Sequence, residues 1–156
     1  MKATFYRWWL LFSLICLGGA FSWDVGYIMT IYQADVTFLS AVIGFLFVLT
    51  TVLIGWRTWL FSYRDTYTDT HLGKEITKIV MALGMFGTLI GFTLVFGESL
   101  TNLNFEDNAS KAKVLAEMGI GIKTAIYTSL SGLAATILIW VQLMNLEYGI
   151  ARYEDI

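Results

Sequence analysis

Val36 to Trp56 reads VTFLSAVIGFLFVLTTVLIGW, and none of its residues carries a charge. A helix crossing the ~30 Å hydrocarbon core of a bilayer needs about 20 mostly apolar residues, each rising ~1.5 Å. In lipid the backbone must satisfy its own hydrogen bonds, and an α-helix does so within one segment. The stretch therefore predicts a transmembrane helix. Ile79 to Gly97 and Thr124 to Leu146 are also free of charge and long enough. The first run, Trp8 to Trp23, is shorter. With Phe5 and Tyr6 it reads as a span anchored by Trp8 and Trp9 at the interface. Lys2 and Arg7 before an apolar middle, then Gly18, Gly19 and Ala20, also resemble a signal peptide. The two bulky tryptophans and the poor small-residue site favour a retained span.

The bulk composition agrees. The chain has 156 residues, of which 57% are hydrophobic and 14% charged, with no proline. A soluble domain of this size must cover itself with more polar surface. The expectation is an all-α integral membrane protein, one domain over residues 1–156, with four helices, or three if the first is cleaved. The spans fall at about 6–23, 36–57, 78–97 and 122–146. The net charge of −2 gives no nucleic-acid footprint. Cys16, the single cysteine, has no partner for an internal disulfide. His71, the only histidine, reads as an exposed loop residue without metal-ligating company. No metal, cofactor or catalytic constellation is expected, and no enzyme.

Lysine and arginine set the orientation. Lys2 and Arg7 precede the first span, Arg57, Arg64, Lys74 and Lys78 lie between the second and third, and Arg152 lies in the tail. The loop from Asp24 to Asp35 has neither residue type. The positive-inside rule then puts both termini and the 57–78 segment in the cytoplasm. The third loop, Glu98 to Lys123, falls outside. Within it, Asn102 to Asn108 reads as a turn, and Ser110 to Met118 as a short helix with Ser110 as N-cap.

The last two spans are two-faced. At ~100° per residue, Gly84, Gly87, Thr88 and Gly91 share one face, opposite Phe86, Leu89, Ile90 and Phe96. In the final span Gly121, Ala125, Thr128, Ser129, Gly132, Ala135 and Thr136 share an arc, with Ile126, Leu130, Leu133, Ile137 and Val141 opposite. Small-residue stripes mark close helix contacts in bilayers. Two readings stand together: the stripes pack helices, or the hydroxyls of Thr88, Thr128 and Ser129 line a polar path. No Asp, Glu, Lys, Arg or His lies well inside any span. A carrier that moves protons alone generally needs such a group, so any titrating group must arrive on another chain.

Gly84 to Phe92, GMFGTLIGF, resembles the G-x-x-G-T-x-x-G signature of the penultimate core helix in the MotA/TolQ/ExbB proton-channel family. Gly121 to Ala135, GIKTAIYTSLSGLAA, resembles that family's final helix, G-x-x-x-A-L-x-x-T-x-x-G-L. The two motifs come in family order on adjacent spans, and the resemblance covers roughly residues 76–148, with signature helices at 78–97 and 121–146. It implies a ring of five subunits in the bacterial-type inner membrane, around a single-span partner of MotB, TolR or ExbD type. The partner supplies a membrane aspartate, and an ion-motive force drives movement of one component inside the other. Thr88 matches the family threonine of the first motif and Ser129 that of the second, with Thr128 beside it. Gly84, Gly87, Gly91, Gly121, Ala125 and Gly132 are then expected at packing or ring contacts. The chain departs from the pattern in three ways. The cytoplasmic insertion is nearly absent, Thr124 stands where ExbB and TolQ types carry an acid, and the usual proline is missing. The competing readings are a structural membrane scaffold and a small holin-like lysis pore.

Overall fold

The computed structural model describes residues 2–35, 37–64, 69–99 and 108–154, and these are almost entirely helical. The helices are α1 (Lys2–Asp24), α2 (Tyr27–Ala34), α3 (Leu39–Arg64), α4 (His71–Leu94) and α5 (Asn108–Glu154). A π-helical turn, Val95–Ser99, continues α4. Four of the helices, all but α2, are long and apolar enough to cross a membrane. At ~1.5 Å per residue, the 26 residues of α3 reach about 39 Å, more than the ~30 Å hydrocarbon core.

Solvent preference is inverted relative to a soluble domain. Large apolar side chains face outward: Leu17, Phe45 and Leu89 are each more than 60% exposed. Hydroxyl and amide side chains face inward: Thr50, Thr51, Thr58, Ser62, Thr124, Thr128 and Gln142 are buried. Water would penalise such an outer surface, whereas hydrocarbon solvates it. Three of the buried hydroxyls, on Thr50, Thr58 and Thr128, offset the cost of lost hydration by bonding back to the preceding turn. Thr50 donates to the Leu46 carbonyl at 2.6 Å and Thr58 to the Ile54 carbonyl at 2.7 Å.

The apolar core sits where α3, α4 and α5 meet, through Ile43, Ile54, Val80, Ala135, Ile139 and Leu143. The α1 helix docks on it at one end. The Trp8 ring fills the space that a Cβ at Gly55 would occupy. At this same end Lys74 pairs with Glu147 at 2.6 Å, Arg7 lies over the Tyr148 ring at 5.5 Å, and Arg57 donates to the Asp69 carbonyl. Arg7, Arg57 and Lys74 thus gather at one end of the bundle, whereas Lys111 and Lys123 lie in the first part of α5, towards the other end.

Three expectations change. The stretch between Asp24 and Asp35 holds a helix, α2, entered through Gly26 at φ +81, a left-handed conformation that glycine adopts without penalty. Ser110 to Met118 is no separate helix, and Ser110 lies inside α5 rather than capping it. Alanine, lysine, glutamate, leucine and methionine favour helix, and without proline nothing stops its propagation. The turn expected over 102–108 lies outside the described residues, apart from Asn108, which opens α5. His71 is exposed but begins α4, with its Nε2 at 3.9 Å from Glu75.

Asp35 fixes the entry to α3. Its carboxylate accepts from the Thr37 N–H at 3.0 Å, the Thr37 hydroxyl at 2.6 Å and the Ser40 N–H at 2.5 Å. The bond from Ser40 satisfies a donor in the first turn of α3 that has no partner within the helix, and the two from Thr37 hold the residues that lead into it. Burial is the largest single influence on this carboxyl and opposes its ionisation. The hydrogen bonds from Thr37 and Ser40 together outweigh it and hold the carboxyl below its ordinary value.

Candidate functional site

The small-residue faces of α4 and α5 meet each other, in antiparallel register. A Cβ added at Gly84 would stand 3.0 Å from the Gly132 Cα. One at Gly87 would meet the Thr128 hydroxyl at 2.5 Å, and one at Gly91 the Ala125 Cβ at 2.5 Å. One at Gly121 would meet the Val95 Cγ2 at 2.7 Å and the Gly91 carbonyl at 2.9 Å. The contacts step along both helices at three- and four-residue intervals, as helical faces require. All six packing positions expected from the sequence therefore lie inside one chain's own hairpin. The apolar faces opposite point outward, with Phe86, Leu89, Ile126 and Leu130 exposed.

The three hydroxyls separate into two environments. Thr128 is wholly buried against Gly87, and its hydroxyl donates to the Thr124 carbonyl at 2.8 Å. Thr88 and Ser129 lie at the edge of the seam, and their hydroxyl oxygens stand 2.8 Å apart across the two helices. Both line a groove of about 570 Å³. Its other walls are Met81, Met85, Phe92, Ile126, Leu130 and Leu133, among others. The sequence marks the hydroxyls but not the methionines and Phe92 that frame them.

The pair is the polar spot of an otherwise apolar groove, and its hydrogen-bond arithmetic is informative. Thr88 can donate to the Gly84 carbonyl at 3.2 Å. Ser129 then donates to Thr88, and the Ser129 lone pairs remain to accept from the groove. If Thr88 donates to Ser129 instead, the Ser129 proton is released to donate into the groove. Each hydroxyl is at once a donor and an acceptor. Rotation of two hydroxyl hydrogens therefore switches what the pair presents, with no heavy atom moved.

Sequence reasoning missed a second polar cluster. Gln142 is 1% exposed in the last third of α5. Its Oε1 accepts from the Trp8 indole at 3.3 Å, and its Nε2 donates to the Thr51 hydroxyl at 3.3 Å. One amide thus ties α1, α3 and α5 together. The available signal was the amide itself, standing in the charge-free run of residues 124–146. Among the described residues no group of His, Cys, Asp and Glu could hold a metal ion. In comparisons with family models, curated proteins and solved structures, the chain matches none.

Proposed function

We propose that this chain is an ion-conducting subunit of an ion-motive-force-driven membrane complex, a minimal member of the MotA/TolQ/ExbB type. In this reading the four long helices span a bacterial-type inner membrane, with both termini in the cytoplasm. Several copies, five by the resemblance, surround a single-span partner whose aspartate titrates within the membrane.

The observation that carries the reading is the Thr88–Ser129 pair, 2.8 Å apart and open to an apolar groove. An aspartate that cycles between acid and carboxylate needs an acceptor in one state and a donor in the other. The pair supplies either. The groove's apolar walls keep a low dielectric, in which an unpaired charge is costly and a polar pair attracts a polar group strongly. The chain's own charge-free runs, residues 8–23, 36–56, 79–97 and 124–146, bring no Asp, Glu, Lys, Arg or His. A division of labour between two chains follows.

The scaffold reading has one observation in its favour. Thr128 serves packing alone, and small-residue contacts of the kind at Gly84, Gly91 and Gly132 hold helices together without transport. The two readings part on a measurement of native mass in mild detergent, alone and co-expressed with a single-span protein carrying a membrane aspartate. A ring that retains the partner, and conducts protons or sodium in liposomes, is expected. A monomer or heterogeneous assembly that retains no partner would overturn the proposal.

A further inference from the structure

Thr50, Thr58, Thr77 and Thr128 are buried, and each donates its hydroxyl to the carbonyl one turn before it, at 2.6–2.8 Å. Thr136 does not. Among the described residues, its hydroxyl oxygen and that of Ser40 are buried with no hydrogen-bond partner on the protein. Ser40 has one at hand, since the Asp35 carboxylate already takes its N–H at 2.5 Å. Thr136 stands on α5 one turn beyond Gly132, at the seam with α4. A buried hydroxyl without a partner is costly, and in native proteins an ordered water commonly meets such a group.

The place of Thr136 says where that water comes from. It follows Ser129 by seven residues, close to two full helical turns, so the two side chains share a face about 10.5 Å apart along the axis. The seam sets Gly84 against Gly132 and Gly73 against Leu143, which puts Thr136 level with Val80 of α4. Lys78, exposed and paired with Glu75 at 2.6 Å, is only about 3 Å further along the axis. Thr136 therefore lies next to the charged end of the bundle. Thr88 lies deeper, about 15 Å from Lys78 and from Glu98 alike. Between the two levels the groove is walled by Met81, Met85 and Leu133. These walls are apolar, and the unbranched methionines can move to admit water.

We infer that Thr136 holds a water in the α4–α5 seam and is a further station of the ion route, between the Thr88–Ser129 pair and the end of the bundle where Arg57 and Lys74 gather. The route rests on the ion-conducting reading; the water does not. The hydroxyl offers one donor and two lone pairs, enough to hold a water or a hydrated ion with no covalent bond broken.

Magnetisation transfer from water to isotope-labelled threonine, in the full chain reconstituted in liposomes, reads the site directly. The Thr136 signals, identified by their loss in Thr136→Val, should build up faster than those of Thr128 and Thr50, which are buried and bonded back. Build-up as slow as theirs would overturn the inference and return the hydroxyl to the Gly132 carbonyl. With the single-span partner present, Thr136→Val should cut ion flux about tenfold, the effect of one lost hydrogen bond on a barrier. Native mass should stay unchanged, and Thr136→Ser should conduct. Normal flux in the valine variant would take Thr136 off the route and overturn the inference as well. A wild type that conducts nothing would instead overturn the ion-conducting reading and the route with it, and the transfer experiment would still decide whether water reaches Thr136.

Discussion

Gly132→Ala is the sharpest test of the α4–α5 seam, because one methyl group decides it. The added Cβ would stand 2.7 Å from the Gly84 Cα and 3.3 Å from the Val80 carbonyl oxygen. Non-bonded carbons settle at ~3.5–4.0 Å, so the helices must part by about 1 Å. Both opposing atoms belong to backbone, so no side chain can turn away. A gap of ~0.5–1 Å forfeits a quarter to a half of each contact's attraction, and the loss is shared along the seam. Overpacking of this kind costs ~1–3 kcal/mol. Alanine also gains about 1 kcal/mol over glycine in helix propensity, which obscures the steric cost in a single variant. Gly19→Ala makes the same change where nothing lies within 4 Å. The propensity gain then cancels between the two variants, and their difference isolates the clash. At ~2–4 °C per kcal/mol for a chain of this size, Gly132→Ala should melt about 2–12 °C below Gly19→Ala. Thermal unfolding of both in the same detergent gives the comparison. Gly132→Ala melting level with or above Gly19→Ala would refute the close approach.

Other consequences are equally direct. Thr88→Val keeps the shape but removes the groove's hydroxyl pair, so ion flux with the single-span partner should fall while assembly, read by native mass, persists; Thr88→Ser should conduct, and normal flux in the valine variant would remove Thr88 from the path. Gln142→Leu cuts two hydrogen bonds of ~0.6 kcal/mol each, an average for such bonds in membranes, and leaves α1 without its amide tie. Amide exchange in the first half of α1 should accelerate more than in α4, and unchanged exchange would show that Trp8 packing alone holds the helix. Asp35 has its carboxyl held below the ordinary 3.8. Its contribution to stability is therefore present above that value and lost as the pH falls through the lowered one. Thermal unfolding should weaken on acidification below about pH 4, and Asp35→Asn should remove that part of the slope; an identical slope in both proteins would assign it elsewhere.

The sequence made the long helices legible because hydrocarbon leaves little choice: a charge-free run of the right length must be helical. It was less informative wherever water or an interface permits several answers. The segment before Asp35 has mixed polarity and reads as a loop, yet Gly26 lets the chain turn back into α2. The charges at Lys111, Glu117 and Lys123 suggested an outer loop, but charge at a helix surface does not end a helix, and α5 runs through all three. The stripe of Gly84, Gly87 and Gly91 was legible as a face. Its partner was not, since periodicity says which residues share a side and never what lies across from it. Gln142 went unread for a similar reason. An amide in an apolar run announces a need for partners, but Trp8 and Thr51 are far away in sequence and only the fold brings them within reach.

Thr128 and Ser129 show how this division bears on function. Neighbours in sequence, they point about 100° apart on a helix, and their hydroxyls are interchangeable on paper. Gly87 decides between them. The missing side chain there leaves a hole that Thr128 fills, so its hydroxyl turns back to its own helix and is spent on packing. Ser129, one step round, is left at the seam's edge to meet Thr88. The glycines thus work inside the hairpin, and they cannot also face a neighbouring subunit. In the proposed ring, the surfaces left for neighbours and for the partner helix are the bulky ones that frame the groove, Met81, Met85, Phe92, Ile126 and Leu130 among them. Methionine is unbranched and adapts to irregular contacts. That suits a wall against which another helix must move, and it is a wall that a close-packed glycine seam could not provide.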